Sequence, residues 1–338
     1  MMRISITSYK TDFTDQELKQ LSQLGVDCID FGGGNAFPGV KEQGYPDLDA
    51  ILALRKRLRS FGLDVNRVTL PDITKKFMNN EPGSEREVEN SIQAIKAFGE
   101  AGITLARQRF EGDTFPNSTI KYRALQRGGA IARGESISFT EEKLPYTTLE
   151  NYEKMLDRFC DAYKQLVPAA EASNVLLGMH PSDVPHPGTL FGGLGYHRII
   201  DLFPSKNVGY VYCVGTRAEE GGSSLVLDEV SNYGRKGKIF LVHLRNVRGS
   251  LATTRAFEET LLDDGDINIF KLLLELDKVG YDGCLNPDHV PILEGAEPDI
   301  HPSWPNTCIK WNYNNVGYAY SIGYIRALLN ALTEYRGK

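Results

Sequence analysis

The chain has 338 residues, of which 41% are hydrophobic and 24% charged, a composition typical of a folded globular protein and not of a disordered one. Its formal net charge is −6, so it lacks the basic excess that nucleic-acid binding usually requires. It also shows no disulfide-type cysteine spacing, no secretory-signal pattern and no apolar run of about 20 residues. We therefore expect a reduced, cytoplasmic protein without a nucleic-acid or membrane partner.

Short β-branched runs alternate with longer amphipathic stretches, a pattern typical of βα units around a parallel sheet. In the first third of the chain, the predicted strands cover residues 3–9, 26–31, 63–70 and 103–110. The predicted helices between them cover residues 15–24, 47–61 and 85–100. Gly25, Gly62 and Gly102 each follow a helix and precede a strand, where glycine adopts the left-handed conformation without strain.

The segment 112–144 interrupts this alternation, because it is polar, contains several glycines and is too long for an ordinary connection. An insertion of this kind fits a lid over an active site, an additional hairpin or a contact between subunits. The sequence alone leaves these three alternatives open.

The alternation then resumes and continues to the end of the chain. Further strands are predicted over residues 175–180, 208–213, 239–246 and 283–288, and helices over 148–172, 196–203, 228–233, 268–279 and 318–335. Eight strand–helix units without a linker between them predict one α/β domain over residues 1–338, a (β/α)8 TIM barrel with the insertion after the fourth strand.

Potential metal ligands stand at or near the ends of the last four predicted strands: His180, Cys213, His243 and Asp288. A single cysteine on a strand is more often a small buried hydrophobic residue, and a single histidine is often only hydrogen-bonded. Barrel enzymes, however, build their sites at the carboxyl ends of the strands. Two imidazoles, a thiolate and a carboxylate on four consecutive strands therefore predict a four-ligand site for a divalent cation.

Several motifs around these residues resemble the mannonate dehydratase family, which are lyases of the xylose isomerase-like barrel group. The similarity is strongest in the C-terminal half of the chain. The matching motifs are MHPSDVP (179–185), HRI (197–199), CVGT (213–216), HLRNV (243–247), FEE (257–259), DGDIN (264–268), PDHVP (287–291) and GYAYSIGYIRALLNAL (317–332).

Members of this family convert D-mannonate to 2-keto-3-deoxy-D-gluconate by removing water, usually with Mn²⁺ or Fe²⁺. The resemblance implies a small sugar acid as the substrate, a divalent cation that is Mn²⁺, with Fe²⁺ or Zn²⁺ as alternatives, and a homo-oligomer. It also implies roles for particular residues: His180, Cys213, His243 and Asp288 as metal ligands, His289 and Tyr318 as catalytic residues, and Arg245, Asn246 and Arg198 as substrate contacts. Tyr313 is the alternative to Tyr318.

The sequence also departs from the family pattern. Ser182 and Val184 stand in a motif that usually reads HPDDPP, and the first strand lacks the family's tryptophan- and arginine-containing motif. Two alternatives to a dehydratase therefore stay open at this point. One is a sugar isomerase or epimerase on the same barrel, and the other is a paralogue that binds sugar acids without catalysis.

Overall fold

The computed structural model describes residues 1–110, 119–137, 148–185, 189–295, 305–311 and 315–337. Its strands, in chain order, are β1 (Arg3–Ser8), β2 (Cys28–Phe31), β3 (Asp64–Thr69), β4 (Leu105–Arg107), β5 (Ile120–Leu125), β6 (Ile131–Ser136), β7 (Leu176–Met179), β8 (Val208–Cys213), β9 (Ile239–His243), β10 (Asn246–Ser250), β11 (Ala256–Thr260) and β12 (Cys284–Asn286). Its helices are α1 (Asp15–Leu24), α2 (Val40–Gln43), α3 (Leu48–Ser60), α4 (Lys75–Met78), α5 (Glu85–Glu100), α6 (Leu149–Ala172), α7 (Gly193–Leu202), α8 (Val214–Arg235), α9 (Leu251–Thr254), α10 (Ile269–Lys278) and α11 (Val316–Tyr335).

Eight parallel strands close into a barrel in the spatial order β1-β12-β9-β8-β7-β4-β3-β2. Each barrel strand pairs in parallel with its neighbours, and β1 closes the barrel by pairing with both β12 and β2. The predicted (β/α)8 class is therefore confirmed. None of the described helices is both long and apolar enough to cross a membrane.

Several predicted elements agree with the structure because local signals define their ends. The helix predicted over 15–24 is α1, which Thr14 and Glu17 cap reciprocally at its N-terminus while Gly25 ends it in the left-handed conformation. The helix α3 likewise begins after Asp47, whose carboxylate accepts a hydrogen bond from the Ala50 N–H group.

Two predictions in the second half were wrong. The helix predicted over 228–233 is the end of α8, which begins at Val214, because the Gly221-Gly222 pair masks the helical pattern and Gly222 interrupts the helix with a φ of 77°. The strand predicted over 239–246 ends at His243, and Asn246 already begins β10 in a second sheet.

The barrel interior is layered. Its lower layer is an apolar cluster of one residue from each of five strands: Cys28, Leu105, Val211, Leu241 and Cys284. Side chains two positions apart on a strand share a face. The next inward layer, towards the carboxyl ends, therefore consists of polar side chains on the same strands: Asp30, Arg107, Cys213, His243 and Asn286.

The inserted segment contributes to a separate four-stranded sheet of order β10-β11-β6-β5. Within it, β5 and β6 form an antiparallel hairpin, and β6 pairs with β11. The described part of the predicted insertion is thus a hairpin, whereas residues 112–118 and 138–144 lie outside the described residues. Since β10 starts just after β9, this sheet lies beside the carboxyl-end rim of the barrel.

Candidate metal centre

The four predicted ligands meet at the carboxyl ends of their strands. One donor atom from each of His180, Cys213, His243 and Asp288 lies within 4.8 Å of every other, and all four residues are buried. The two imidazole rings are 5.1 Å apart between centroids. Side chains separated by more than 100 positions in the sequence thus converge as barrel geometry requires.

Both histidines offer neutral nitrogen atoms to this cluster. Nδ1 of His180 lies 2.7 Å from the carbonyl oxygen of Pro181 and donates to it, which leaves Nε2 as the lone-pair nitrogen. Nδ1 of the buried His243 lies 3.4 Å from Asp288 Oδ1, and among the described residues neither ring nitrogen has a partner with good hydrogen-bond geometry. Burial lowers the pKa of both imidazoles, so both are neutral. Buried lone pairs without a proton donor are what a bound cation satisfies, and the donor set fits a divalent metal.

Cys213 is placed to act as a thiolate. It caps the N-terminus of α8, and its Sγ accepts from the backbone N–H of Thr216 at 3.5 Å and from the Thr216 hydroxyl at 3.2 Å. Arg245 Nη2 donates to the same sulfur at 3.1 Å. Burial raises the pKa of Cys213 to about 11, and Arg245 and Thr216 oppose that rise. This raised pKa keeps Cys213 a thiol without a cation, and a cation bound to its sulfur would favour the thiolate instead.

Asp288 is held in an unusual backbone conformation, with a φ of 55°. Its N–H donates to Asn286 Oδ1 at 2.8 Å, and the Tyr318 hydroxyl donates to its carbonyl oxygen. Burial alone would raise the pKa of Asp288, but His243 and His289 outweigh this effect and hold it well below its usual value. Asp288 is therefore a carboxylate that a rigid turn aims into the cluster.

His289 lies beside this carboxylate. Its Nδ1 is 2.9 Å from Glu259 Oε1 on β11, and its Nε2 is 3.7 Å from Asp288 Oδ2. Glu259 therefore orients the imidazole so that Nε2 faces the site. The sequence argument assigned Glu259 no role, although the FEE motif that contains it was the available signal.

Tyr318 is completely buried at the start of α11. Burial raises the pKa of its phenol well above the usual value, so the hydroxyl keeps its proton and donates to the Asp288 carbonyl. Tyr313, the alternative, lies outside the described residues.

Arg245 is buried and contacts several side chains of the same chain. Its Nη1 donates to Glu219 at 2.6 Å and to Glu259 at 2.8 Å, and its Nε lies 3.1 Å from Asp288 Oδ2. With the bond to Cys213, it thus touches two candidate ligands at once. This geometry favours a positioning role over the substrate contact that the resemblance implied.

The other two residues expected to bind substrate differ in their surroundings. The Asn246 side-chain amide donates to Leu262 and Ile267 carbonyls and accepts from the Ile267 N–H group, so it closes the loop after β11. Arg198 is exposed on α7. The roles of Asn246 and Arg198 as substrate contacts stay predictions.

Buried nitrogen, sulfur and oxygen donors at the carboxyl end of a closed barrel define a metal-dependent TIM-barrel enzyme. A family model described as D-mannonate dehydratase (UxuA) matches residues 132–338, which is more than half of the chain. The chain belongs to this family and is a hydro-lyase that dehydrates a sugar acid. The matched region includes all four candidate ligands, His289 and Tyr318.

Individual relatives agree with this assignment. The chain is 23% identical over 279 residues to a mannonate dehydratase of Streptococcus agalactiae serotype V, covering 73% of this chain and 79% of the relative. It is 26% identical over 283 residues to that of Streptococcus equi subsp. zooepidemicus, covering 73% and 75%. The crystal structure of mannonate dehydratase from Streptococcus suis serotype 2 superposes with a TM-score of 0.80 at 22% identity, covering 100% of this chain and 95% of that one.

Proposed function

We propose that this chain converts D-mannonate to 2-keto-3-deoxy-D-gluconate and water, with a divalent ion held by His180, Cys213, His243 and Asp288. The observation that carries this proposal is the convergence of four donor atoms within 4.8 Å. The substrate is supported by the description of the family and by the names of the relatives.

The ion that we propose is Mn²⁺, with Fe²⁺ and Zn²⁺ as the alternatives that this donor set also accommodates. When bound, such an ion supplies Lewis-acid stabilisation of negative charge that develops on the substrate. The chain's own contribution is to hold two neutral imidazoles, a thiolate and a carboxylate in fixed positions.

Dehydration of an aldonate moves a proton from C2 to a base, expels the C3 hydroxyl group as water once that group has taken up a proton, and leaves an enol that tautomerises to the 2-keto product. We propose that the neutral form of His289 takes the C2 proton and that the resulting imidazolium protonates the departing hydroxyl group. His289 is the residue that we propose moves a proton at Nε2, because Glu259 occupies its Nδ1. Burial alone lowers the pKa of His289, but Asp288 and Glu259 outweigh it and raise the pKa above its usual value. Its imidazolium form is thereby favoured, which suits protonation of the departing hydroxyl group.

Tyr318 keeps its phenol proton and fixes the turn that carries Asp288 and His289. Arg245 holds the thiol of Cys213 and the carboxylate of Asp288, and Asn246 holds the loop behind them. We propose that Arg245 and Asn246 position the site. A direct substrate contact of Arg198 stays a prediction.

The test of this function is the pair of variants His289→Ala and Tyr318→Phe, assayed for the 2-keto-3-deoxy product. His289→Ala is expected to lose turnover by at least about 10²-fold, because a positioned proton donor contributes about that much. Tyr318→Phe is expected to lose turnover by a similar factor of about 10², because it frees the turn that carries Asp288 and His289. Metal analysis of each variant should still find the ion. Near-normal rates in both variants would remove these residues from the mechanism.

The same assay addresses the two alternatives left open by the sequence. An isomerase or epimerase would give a product of unchanged composition, and a binding paralogue would give none. The family assignment favours the dehydratase. Homo-oligomerisation stays a prediction for light scattering.

A further inference from the structure

Two arginines stand on barrel strands that carry no candidate ligand: Arg67 on β3, and Arg107 on β4, which neighbours β7. In the closed order of eight strands, β3 lies directly across the barrel from β9, which carries His243. Both arginines precede residue 132, so the family model does not reach them. Neither was singled out in the sequence.

Arg67 is a buried cation without an ion pair. Only 2% of it is exposed, and its Nη1 donates to the Phe31 carbonyl at 3.3 Å and to the Thr69 hydroxyl at 2.9 Å. Its Nε has no hydrogen-bond partner, and no carboxylate among the described residues forms a salt bridge with it.

The nearest acidic neighbour in the sheet is already satisfied by other groups. Asp30 pairs with Arg67 in the register of β2 and β3. Its carboxylate oxygens accept instead from neutral side chains: Ser5 at 2.6 Å, Asn66 at 2.7 Å and Asn286 at 2.6 Å. A buried charge without a partner is costly, so it is retained where an anion binds it.

The guanidinium of Arg67 points towards the same end of the barrel as the metal ligands, because both of its acceptors belong to the last residues of β2 and β3. Across the barrel from it, His243 ends the facing strand β9.

The opposite side of the site is rich in carboxylates. There, Arg133 and Arg245 form salt bridges with three buried glutamates and one partly buried aspartate: Glu135, Glu219, Glu259 and Asp183. A substrate anion would be repelled from that group and attracted to β3 and β4. The planar guanidinium of Arg67, with Nε unused, offers the geometry that a carboxylate accepts.

We infer that Arg67, supported by Arg107, binds the carboxylate of the sugar acid and so selects aldonates over neutral sugars. This inference rests on the proposed function, since it concerns the substrate of the same site. The C-terminal strands would thus supply the metal ligands, and the N-terminal strands would supply the residues that determine substrate specificity.

The test compares the binding of D-mannonate with that of D-mannitol, its neutral alditol, by calorimetry on metal-loaded protein in the His289→Ala background, where turnover is lost. Protein with Arg67 should prefer the acid, and Arg67→Met should reduce the ratio of the two affinities by at least about tenfold, the range of one charge-assisted hydrogen bond. Because Met removes an unpaired buried cation, the melting temperature of Arg67→Met should be unchanged or higher. If that variant does not fold, Arg67→Gln takes its place with the same expected loss.

The matched control is Arg217→Met, since Arg217 is equally buried but is salt-bridged to Glu229 outside the barrel. Its melting temperature should fall while its preference for the acid stays at the wild-type value. The inference is overturned if the Arg67 variants keep the wild-type preference, or if they weaken both ligands equally. A wild type that binds mannonate over mannitol but dehydrates no aldonate contradicts the proposed function alone.

Discussion

The residues around the candidate ligands show how tightly the site is packed. A Cβ atom added to Gly215 would lie 2.6 Å from Arg245 Cζ and 2.7 Å from Arg245 Cβ. Real Cβ atoms do not approach other carbons so closely, so any side chain here must displace Arg245. Because Arg245 donates to the sulfur of Cys213, this displacement reaches the ligand cluster.

Gly215→Ala is therefore expected to weaken metal binding by about 10- to 100-fold, as changes to the groups that orient ligands typically do. A competition titration against a chelating dye measures this effect. The control is Gly323→Ala in α11, where an added Cβ meets nothing within 4 Å. That variant should bind metal normally and gain up to about 1 kcal/mol of stability from helix propensity. Equal metal affinities in the two variants would contradict this account.

At the same scale, the residue types predicted the set of metal ligands but not the residues that orient the site. His180, Cys213, His243 and Asp288 were recognisable because ligand-type side chains follow four consecutive predicted strands. The role of Glu259 was not recognisable, because a carboxylate on a strand of a second sheet has no spacing that links it to His289. Tertiary packing alone brings β11 beside that histidine.

At the scale of elements, helix–strand contacts depend on a few shared charges. The carboxylate of Asp64, at the start of β3, accepts hydrogen bonds from Arg55 Nε at 2.8 Å and from Arg59 Nη2 at 2.9 Å. It also accepts one from the Val65 N–H group at 2.8 Å. Burial alone would raise the pKa of Asp64, but the hydrogen bonds from both arginines outweigh it and lower the pKa. These contacts tie α3 to the strand that carries Arg67.

This lowered pKa makes the contribution of Asp64 depend on pH. It is fully present above the unfolded-state pKa of about 3.9 and is lost as the pH falls through the lower folded-state value. Asp64→Asn should therefore cost on the order of 1 kcal/mol at pH 7, a figure that allows for partial solvent screening, and much less near pH 3.

Urea denaturation at the two pH values measures this difference. The control is Asp15→Asn, because the Asp15–Arg57 pair is exposed and should contribute almost nothing. An equal loss at both pH values for Asp64→Asn would show that the carboxylate charge is not what stabilises the contact.

Elements with strong end signals were predictable, and those that depend on a partner sheet were not. The capped helix α1 and the apolar strand β8 were predicted with their observed bounds. The strands β10 and β11 were not predicted. They pair with each other in a hairpin, and β11 also pairs with β6, which is distant in the sequence.

At the scale of the whole molecule, the four candidate ligands stand at the ends of four neighbouring strands, so an ion there links β7, β8, β9 and β12. A ligand that binds only the folded state stabilises it by about 2.7 kcal/mol at 100 times its dissociation constant. Removal of metal with a chelator should therefore lower the melting temperature, and added Mn²⁺ should restore it.

In differential scanning calorimetry, Mn²⁺ should raise the melting temperature of Cys213→Ser by less than it raises that of wild type, since one ligand is weakened. The matched control is Cys160→Ser on α6, which is partly buried away from the cluster and should shift like wild type. A wild-type melting temperature that does not respond to any divalent ion would contradict the proposed metal centre.

Local periodicity and the order of elements along the chain were enough to predict the alternation of strands and helices, the barrel and the set of ligand types. Only the tertiary structure decided that Arg245 contacts ligands, that Glu259 orients His289 and that Arg67 faces the cluster without a carboxylate partner among the described residues. These relations depend on side-chain directions and distances across the closed barrel, which have no counterpart in sequence spacing.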